Sequence, residues 1–286
     1  MARTLAHISD LHFGRIRDEV VEALLADLAA AAPSLIIISG DFTQRARKGQ
    51  YEAARRFLDR LCTPWLAVPG NHDVPTFDVV SRYLRPLTYF KRYITKDDYP
   101  LYIDEEIAVI GINTARAWVW DWSHGRVSDQ QMRRVSEVMR GVSPKLFKVV
   151  FGHHPFLPPP SAPGTRLVGR ARSALKALEA AGVELLLAGH LHQAYTGDVM
   201  SHHTHIARSI LVAQASTATS TRVRGEPNAY NLITIDMPRV TFEVRSWEGA
   251  AFMPALRTCW RREGDRWLRE ELDPGLERLD RMIGRH

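Results

Sequence analysis

The chain has 286 residues, 45% of them hydrophobic and 24% charged, with a formal net charge of +6. That composition excludes a disordered or fibrous chain and supplies enough apolar residues for one large domain. No apolar run approaches the roughly 20 residues of a membrane span, and the modest positive charge favours an acidic substrate without requiring a nucleic-acid surface.

Met1-Ala2-Arg3-Thr4 leads into Leu5–Ile8 without a signal-like apolar core, which predicts a cytoplasmic protein. Thr4–Ile8, Ser34–Ile38 and Trp65–Val68 read as strands, separated by amphipathic helices at Asp18–Ala31 and Gln50–Leu61. This βαβαβ order predicts a parallel sheet with both faces covered. Phe77–Ile94 reads as a surface helix interrupted at Pro86. Ile107–Ile112 and Leu146–Phe151 are two further buried strands around a helix at Ser128–Arg140. A helix at Arg172–Ala181 stops at Gly182 and leads into Val183–Ala188. Beyond residue 193 the helices cease. Ala194–Met200, His205–Ala213, Tyr230–Asp236 and Val240–Trp247 predict antiparallel strands, arranged as a second sheet. Residues 248–286 read as a charged extension ending in a short helix near Leu276–Ile283. With no repeat or clear linker, the expectation is a single domain over 1–286. Cys62 and Cys259 are expected to be buried free thiols.

Polar residues collect where these strands end. Asp10 and His12 follow the first strand, Asp41 the second, and Asn71, His72 and Asp73 the third. His153 and His154 follow Leu146–Phe151, and His190 and His192 follow Val183–Ala188. In open α/β sheets the carboxyl edge of the strands is where ligands bind. Asp, Asn and His in this number, without cysteine, form a ligand set suited to Fe, Mn, Co, Ni or Zn. The pairs Asp10-x-His12 and His190-x-His192 are expected to project to one side through the two-residue alternation of a strand. One such histidine alone would signify little. Five strand ends alike point to a metal site, because burying these groups together without a cation costs several kcal/mol.

The motifs Asp10-Leu11-His12, Gly40-Asp41, Gly70-Asn71-His72-Asp73, Gly152-His153-His154-Pro155 and Gly189-His190-Leu191-His192 occur in order over residues 10–192. Together they resemble the calcineurin-like metallophosphoesterases, and within them the branch of bacterial cyclic-nucleotide phosphodiesterases and glycerophosphodiesterases. The resemblance implies a four-layer α/β/β/α sandwich, with two packed mixed sheets flanked by helices and two divalent metal ions at the strand ends. It implies that Asp10, His12, Asp41 and His192 hold one metal, and that Asp41, Asn71, His153 and His190 hold the other. By the same resemblance His154 is not a ligand, and His72 faces the substrate phosphate, with Asp73 expected to orient its ring. A hydroxide between the two metals would attack phosphorus in a small phosphodiester. One departure is Phe42-Thr43-Gln44 after Gly40-Asp41, where relatives often carry an acidic residue or Asn.

Arg15 and Arg45, with Arg17, Arg47 and Lys48, lie in loops just after the first two motifs and read either as phosphate contacts or as a solvated rim. Trp118, Trp120 and Trp122 alternate, as an extended segment with a tryptophan face would; they read as contacts to a base or acyl chain, as core, or as a dimer contact. His202, His203 and His205 read as a surface cluster. Alternative functions are a pyrophosphatase on a nucleotide-linked lipid, a nuclease, and a non-catalytic protein-binding scaffold. The small net charge disfavours the nuclease, and a complete set of ligand positions disfavours the scaffold. Relatives in this branch are often homodimers.

Overall fold

The structure is a computed structural model and describes residues 1–75, 78–116, 124–159, 161–192, 194–201, 207–221 and 226–270. β1 (Arg3–Ile8), α1 (Asp18–Ala31), β2 (Leu35–Ile38), α2 (Lys48–Leu58) and β3 (Trp65–Ala67) form the expected βαβαβ unit, with β1, β2 and β3 parallel. α3 (Val79–Leu84) and α4 (Thr88–Tyr93) follow, broken around Pro86 as expected of a residue that cannot continue a helix. Then come β4 (Leu101–Ile103), β5 (Ile107–Gly111), α5 (Asp129–Gly141), β6 (Phe147–Phe151), α6 (Ala171–Ala180), β7 (Leu185–Ala188), β8 (Tyr195–Asp198) and β9 (Leu211–Gln214). β10 (Ala229–Asp236), β11 (Arg239–Trp247), β12 (Phe252–Glu263) and β13 (Arg266–Glu270) complete the described chain.

These strands make two mixed sheets, ordered β13-β12-β11-β10-β1-β2-β3 and β4-β5-β6-β7-β9-β8. The period-two alternation of β-strands explains the layers. Leu5, Leu35 and Ile37 pack with Val109, Val149, Leu187 and Phe242 in the core between the sheets. Their neighbours Ala6, Ile36 and Ile38 turn outward onto Val20, Leu24, Tyr51 and Phe57 of α1 and α2. Likewise Ala108, Ile110, Val150 and Leu186 turn outward onto Val135, Met139, Leu175 and Leu178 of α5 and α6. Strands buried on both faces read as continuous apolar runs, and the result is the expected α/β/β/α sandwich. α5 starts where Ser128 Oγ accepts the Gln131 amide at 3.1 Å and Gln131 Oε1 accepts the Ser128 amide at 2.9 Å, a reciprocal cap written in the sequence as S-x-x-Q.

Four expectations need correction. The boundary between the sheets falls between β3 and β4, not near residue 194. The late strands β10 and β11 join the first sheet, β10 pairing antiparallel with β1, and only β8 and β9 join the second. Residues 252–270 are not an extension but the antiparallel pair β12–β13 that widens the first sheet, with Trp267 buried against Phe147. The helix expected near Leu276–Ile283 lies outside the described residues. Cys62 is exposed, whereas Cys259 is buried, and both are free. Among the described residues, no helix is long and apolar enough to cross a membrane.

Candidate metal centre

β1, β2, β3, β6 and β7 deliver their carboxyl ends to one rim, and backbone bonds lock the exits together. The Asp10 amide donates to the Gly40 carbonyl (3.1 Å), His12 to Asp41 (2.9 Å) and Gly189 to His153 (2.9 Å). The His190 amide donates to Asp10 Oδ2 at 2.9 Å, which joins the second sheet to the first. The side chains converge by a route other than strand alternation. Asp10, His12, Asp41, His190 and His192 have φ of 55°, 51°, 55°, 73° and 59°, all left-handed. Non-glycine residues adopt that region at a cost of roughly 1–2 kcal/mol each, and such strain concentrates at functional sites. Gly40 and Gly70 make room. A Cβ on Gly40 would sit 2.8 Å from His153 Nδ1, and one on Gly70 would sit 2.1 Å from Asp41 Oδ1.

Two groups of donors result. In the first, Asp10 Oδ1 lies 3.5 Å from His12 Nε2 and 3.3 Å from His192 Nε2. In the second, Asn71 Oδ1 lies 3.1 Å from His153 Nε2 and 3.0 Å from His190 Nδ1. Asp41 Oδ2 stands between them, 3.7 Å from His12 Nε2 and 3.4 Å from His153 Nε2. Asp10, His12 and His192 also form one group of possible metal ligands, and Asp10, Asp41 and His153 another. Asp10, His12, Asp41 and His153 are essentially inaccessible to solvent.

The donor chemistry fits a cation. The Ser39 carbonyl can only accept, so His153 Nδ1, 2.8 Å away, must donate to it. The Nε2 of a neutral His153 then presents a lone pair towards the oxygens of Asn71 and Asp41, which present lone pairs back. Asp10 Oδ2 is taken by Ser9 Oγ (2.7 Å) and the His190 amide, while Oδ1 accepts no hydrogen bond among the described residues. Electrostatics agree. Burial alone would raise both carboxyls. The imidazoles of His192, His12 and His153 hold Asp10 below the usual carboxylate range, and those of His153, His72 and His12 hold Asp41 well below it. Burial would lower His153, but Asp41 and Asp10 push it up to about 9; burial and then His153 drive His190 down to about 3. Two buried anions thus draw positive charge into the rim, a role that divalent ions fill.

His72 and Asp73 sit beside this rim, each held by partners other than the other's side chain. The His72 amide donates to Asp41 Oδ1 at 2.8 Å, and its ring lies edge-on to His12 with centres 4.9 Å apart. Its Nδ1 donates to the Gln44 carbonyl at 2.9 Å, so Gln44, not Asp73, orients the ring. Asp73 instead ties two loops together. Its Oδ2 accepts the amides of Gly70 (2.9 Å) and Phe42 (3.1 Å), and its Oδ1 accepts the amide (2.9 Å) and hydroxyl (3.1 Å) of Thr43. Burial and the Asp41 charge push its carboxyl up to about 7, against the pull of those amides. His154 is closer to the rim than the motif pattern suggests. Its ring centre is 4.9 Å from that of His190, and a ring nitrogen falls within ligand range of His153 and His190. Thr114 Oγ1 holds His154 Nδ1 at 2.7 Å.

Arg15 and Arg45 are exposed, on the loops that follow Asp10-Leu11-His12 and Gly40-Asp41. Trp118, Trp120 and Trp122, and His202, His203 and His205, lie outside the described residues. Sequence reasoning passed over Ser9 and Ser39, which position Asp10 and His153. The repeated triplets Ile8-Ser9-Asp10 and Ile38-Ser39-Gly40 were the available signal.

An α/β sandwich with buried Asp, Asn and His donors at the shared strand ends defines a class of metal-dependent hydrolase folds. Residues 3–194 match the calcineurin-like phosphoesterase family, and the chain belongs to it. It is 32% identical over 179 residues to a glycerophosphodiester phosphodiesterase of Enterobacter lignolyticus, covering 54% of this chain and 57% of that protein. It is 30% identical over 84 residues to a probable cyclic nucleotide phosphodiesterase of Synechococcus, covering 26% of this chain and 33% of that one. The aligned regions thus span less than two thirds of either relative. Among solved structures, a purple acid phosphatase from yellow lupin seeds has a TM-score of 0.69 at 9% identity, over 92% of this chain and 54% of that one. A dimetal phosphatase from Danio rerio has a TM-score of 0.61 at 14% identity, over 85% and 96%. Those two likenesses concern the fold.

Proposed function

We propose that the chain is a dinuclear metal-dependent phosphodiesterase acting on a small diester, of the cyclic-nucleotide or glycerophosphodiester kind. The observation that carries this reading is Asp41, whose Oδ2 faces both His12 Nε2 (3.7 Å) and His153 Nε2 (3.4 Å) and can therefore serve two cations at once. Asp10, His12 and His192 would complete one site, and Asn71, His153 and His190 the other. Cations held by these residues would supply Lewis acidity towards phosphoryl oxygens and activate water at neutral pH.

The remaining work falls to the chain's own side chains. Because His72 Nδ1–H is committed to Gln44, the imidazolium form alone can donate a second hydrogen bond, from Nε2. In that form His72 steadies a phosphoryl oxygen as negative charge develops, or protonates the leaving oxygen. Asp73 keeps the His72 turn against the Asp41 loop and touches no reacting atom. The exposed Arg15 and Arg45 raise the local concentration of an anionic substrate. The glycerophosphodiester phosphodiesterase among the relatives supports a diester over a monoester.

A substrate panel with added Mn tests the reading. Bis(p-nitrophenyl) phosphate, p-nitrophenyl phosphate, cyclic AMP, a glycerophosphodiester and a nucleotide-linked pyrophosphate are compared by kcat/KM. Diesters are expected to lead; a strong preference for the monoester or the pyrophosphate would displace the diesterase assignment.

A further inference from the structure

Next to the metal-ligand rim lies a cavity of about 730 Å³. Arg45, Arg47 and Lys48 line one side, at the start of α2, and Arg85 lines the other. Tyr51 and Tyr89 also line it. None of the seven proposed metal ligands is among its lining residues. The volume falls within the roughly 300–1,000 Å³ typical of small-molecule sites.

Its charge is lopsided. Four basic side chains face two acidic ones, Asp73 and Asp78. Asp73 does little to cancel them, because both of its oxygens are turned into the amides of Gly70, Phe42 and Thr43. Glu52 draws Lys48 at 3.5 Å on the outer surface but is not part of the lining. α2 carries no acidic residue in its first turn, so the positive end of its dipole stays unneutralised by its own sequence. Beside these cations stands an aromatic cluster: the ring centres of Tyr51, Tyr89 and Tyr93 lie 6.1–6.3 Å apart. Tyr89 lines the cavity and is 38% exposed, whereas Tyr51 is buried, with its hydroxyl on the Asp73 carbonyl at 2.6 Å.

Four cations and an exposed tyrosine in one cavity suit a ligand that carries both a phosphate and a flat ring. We propose that this cavity is a second ligand site, separate from the metal rim, that takes a phosphorylated ring compound the size of a nucleoside monophosphate. The phosphate lies towards Arg47, Lys48 and Arg85, and the ring stacks on Tyr89. The segment that carries Arg45 also carries Gln44, whose carbonyl holds His72. A ligand here therefore bears on the orientation of His72 without touching a metal ligand. The inference does not depend on the reaction at the rim.

Equilibrium dialysis with radiolabelled AMP tests it on three proteins: the metal-loaded chain, the double variant Arg47→Glu/Arg85→Glu, and Asn71→Ala. AMP is expected to bind the unaltered chain, to bind Asn71→Ala with similar affinity, and to bind the double variant at least tenfold more weakly. Ribose 5-phosphate, which lacks the ring, should compete poorly, and Tyr89→Ser should narrow the difference between the two compounds. Undiminished binding by the double variant overturns the proposal, as does the absence of AMP binding at millimolar concentration. Loss of binding in Asn71→Ala would assign AMP to the metal rim and equally overturn it. Arg47 and Arg85 are exposed, so the double variant should melt with the parent; if it does not, the single variant Arg85→Gln gives the same reading.

Discussion

Asp41 Oδ1 accepts the backbone amide of His72 at 2.8 Å, so the carboxylate poised between the two donor groups also fixes the residue proposed to meet the substrate. Removing it should undo both functions together. Asp41→Ala is expected to lower bound metal from two per chain to one or none, and to cut kcat on bis(p-nitrophenyl) phosphate by at least about 10³-fold. Gly70→Ala provides a companion variant that alters no ligand. Its Cβ would arrive 2.1 Å from Asp41 Oδ1 and must displace it, so it should also lose metal. Elemental analysis finding two metals in either variant would show that Asp41 is not shared between two cations.

His72→Ala should separate binding from turnover. The ring contributes no atom to either donor group, and the backbone amide that meets Asp41 survives the substitution. Metal content is expected to stay at the parent level while kcat falls by about 10²–10³-fold. Elemental analysis and steady-state kinetics on the same preparation decide the matter. An active His72→Ala protein would leave the ring without a catalytic part.

Asp73→Ala should behave as a stability variant first. It strips the acceptor from the buried amides of Gly70, Phe42 and Thr43. Unsatisfied buried donors cost about 1–3 kcal/mol each, so a loss of about 3 kcal/mol or more is expected. At 2–4 °C per kcal/mol for a chain of this size, the melting temperature should fall by roughly 6–12 °C. Asp73→Asn, which keeps one acceptor oxygen, should fall between the two. If Asp73→Ala melts with the parent and loses only turnover, Asp73 acts on His72 after all.

Why some of this was readable in the sequence and some was not follows from the range of the interactions. The ligand residues announce themselves because each directly follows an apolar strand and often a glycine, as in Gly40-Asp41 and Gly70-Asn71. Their division into two groups needed the motif pattern. The orientation of His72 was missed because its partner is the carbonyl of Gln44, and every residue type has a carbonyl. Asp73 was misread for a related reason: a carboxylate beside a histidine suggests a pair, whereas its partners are the nearby Gly70 amide and two amides 30 and 31 residues away. The assignment of strands to sheets failed at β10, since pairing Arg3–His7 with Asn231–Ile235 is a choice made across most of the chain. β4 and β13 escaped because they are short edge strands with exposed positions, Leu101 and Ile103 in one and Leu268 in the other.

The end of the sandwich opposite the metal rim offers a test with a pH signature. Arg3 Nε at the start of β1 donates to Asp104 Oδ2 at 2.6 Å, and Asp104 sits at the turn between β4 and β5, so the pair joins the two sheets. Burial opposes ionisation of Asp104, but the amides of Glu106 (2.8 Å) and Ile107 (2.9 Å) on Oδ1, together with Arg3, hold its carboxyl below the usual range. A carboxyl depressed in the folded state contributes stability that is complete above its ordinary value near 4 and is lost as pH falls through the folded value. Solvent reaches the pair, so the contribution is about 1 kcal/mol or less. Asp104→Asn should therefore be less stable than the parent by about that amount in urea at pH 7, and the two curves should converge below about pH 3. Diester turnover at pH 7 should not change, since the pair sits where β1 begins and Asp10 follows where it ends. A stability gap that persists unchanged at pH 3 would mean that the geometry of the turn, rather than the charge on Asp104, holds the sheets together there.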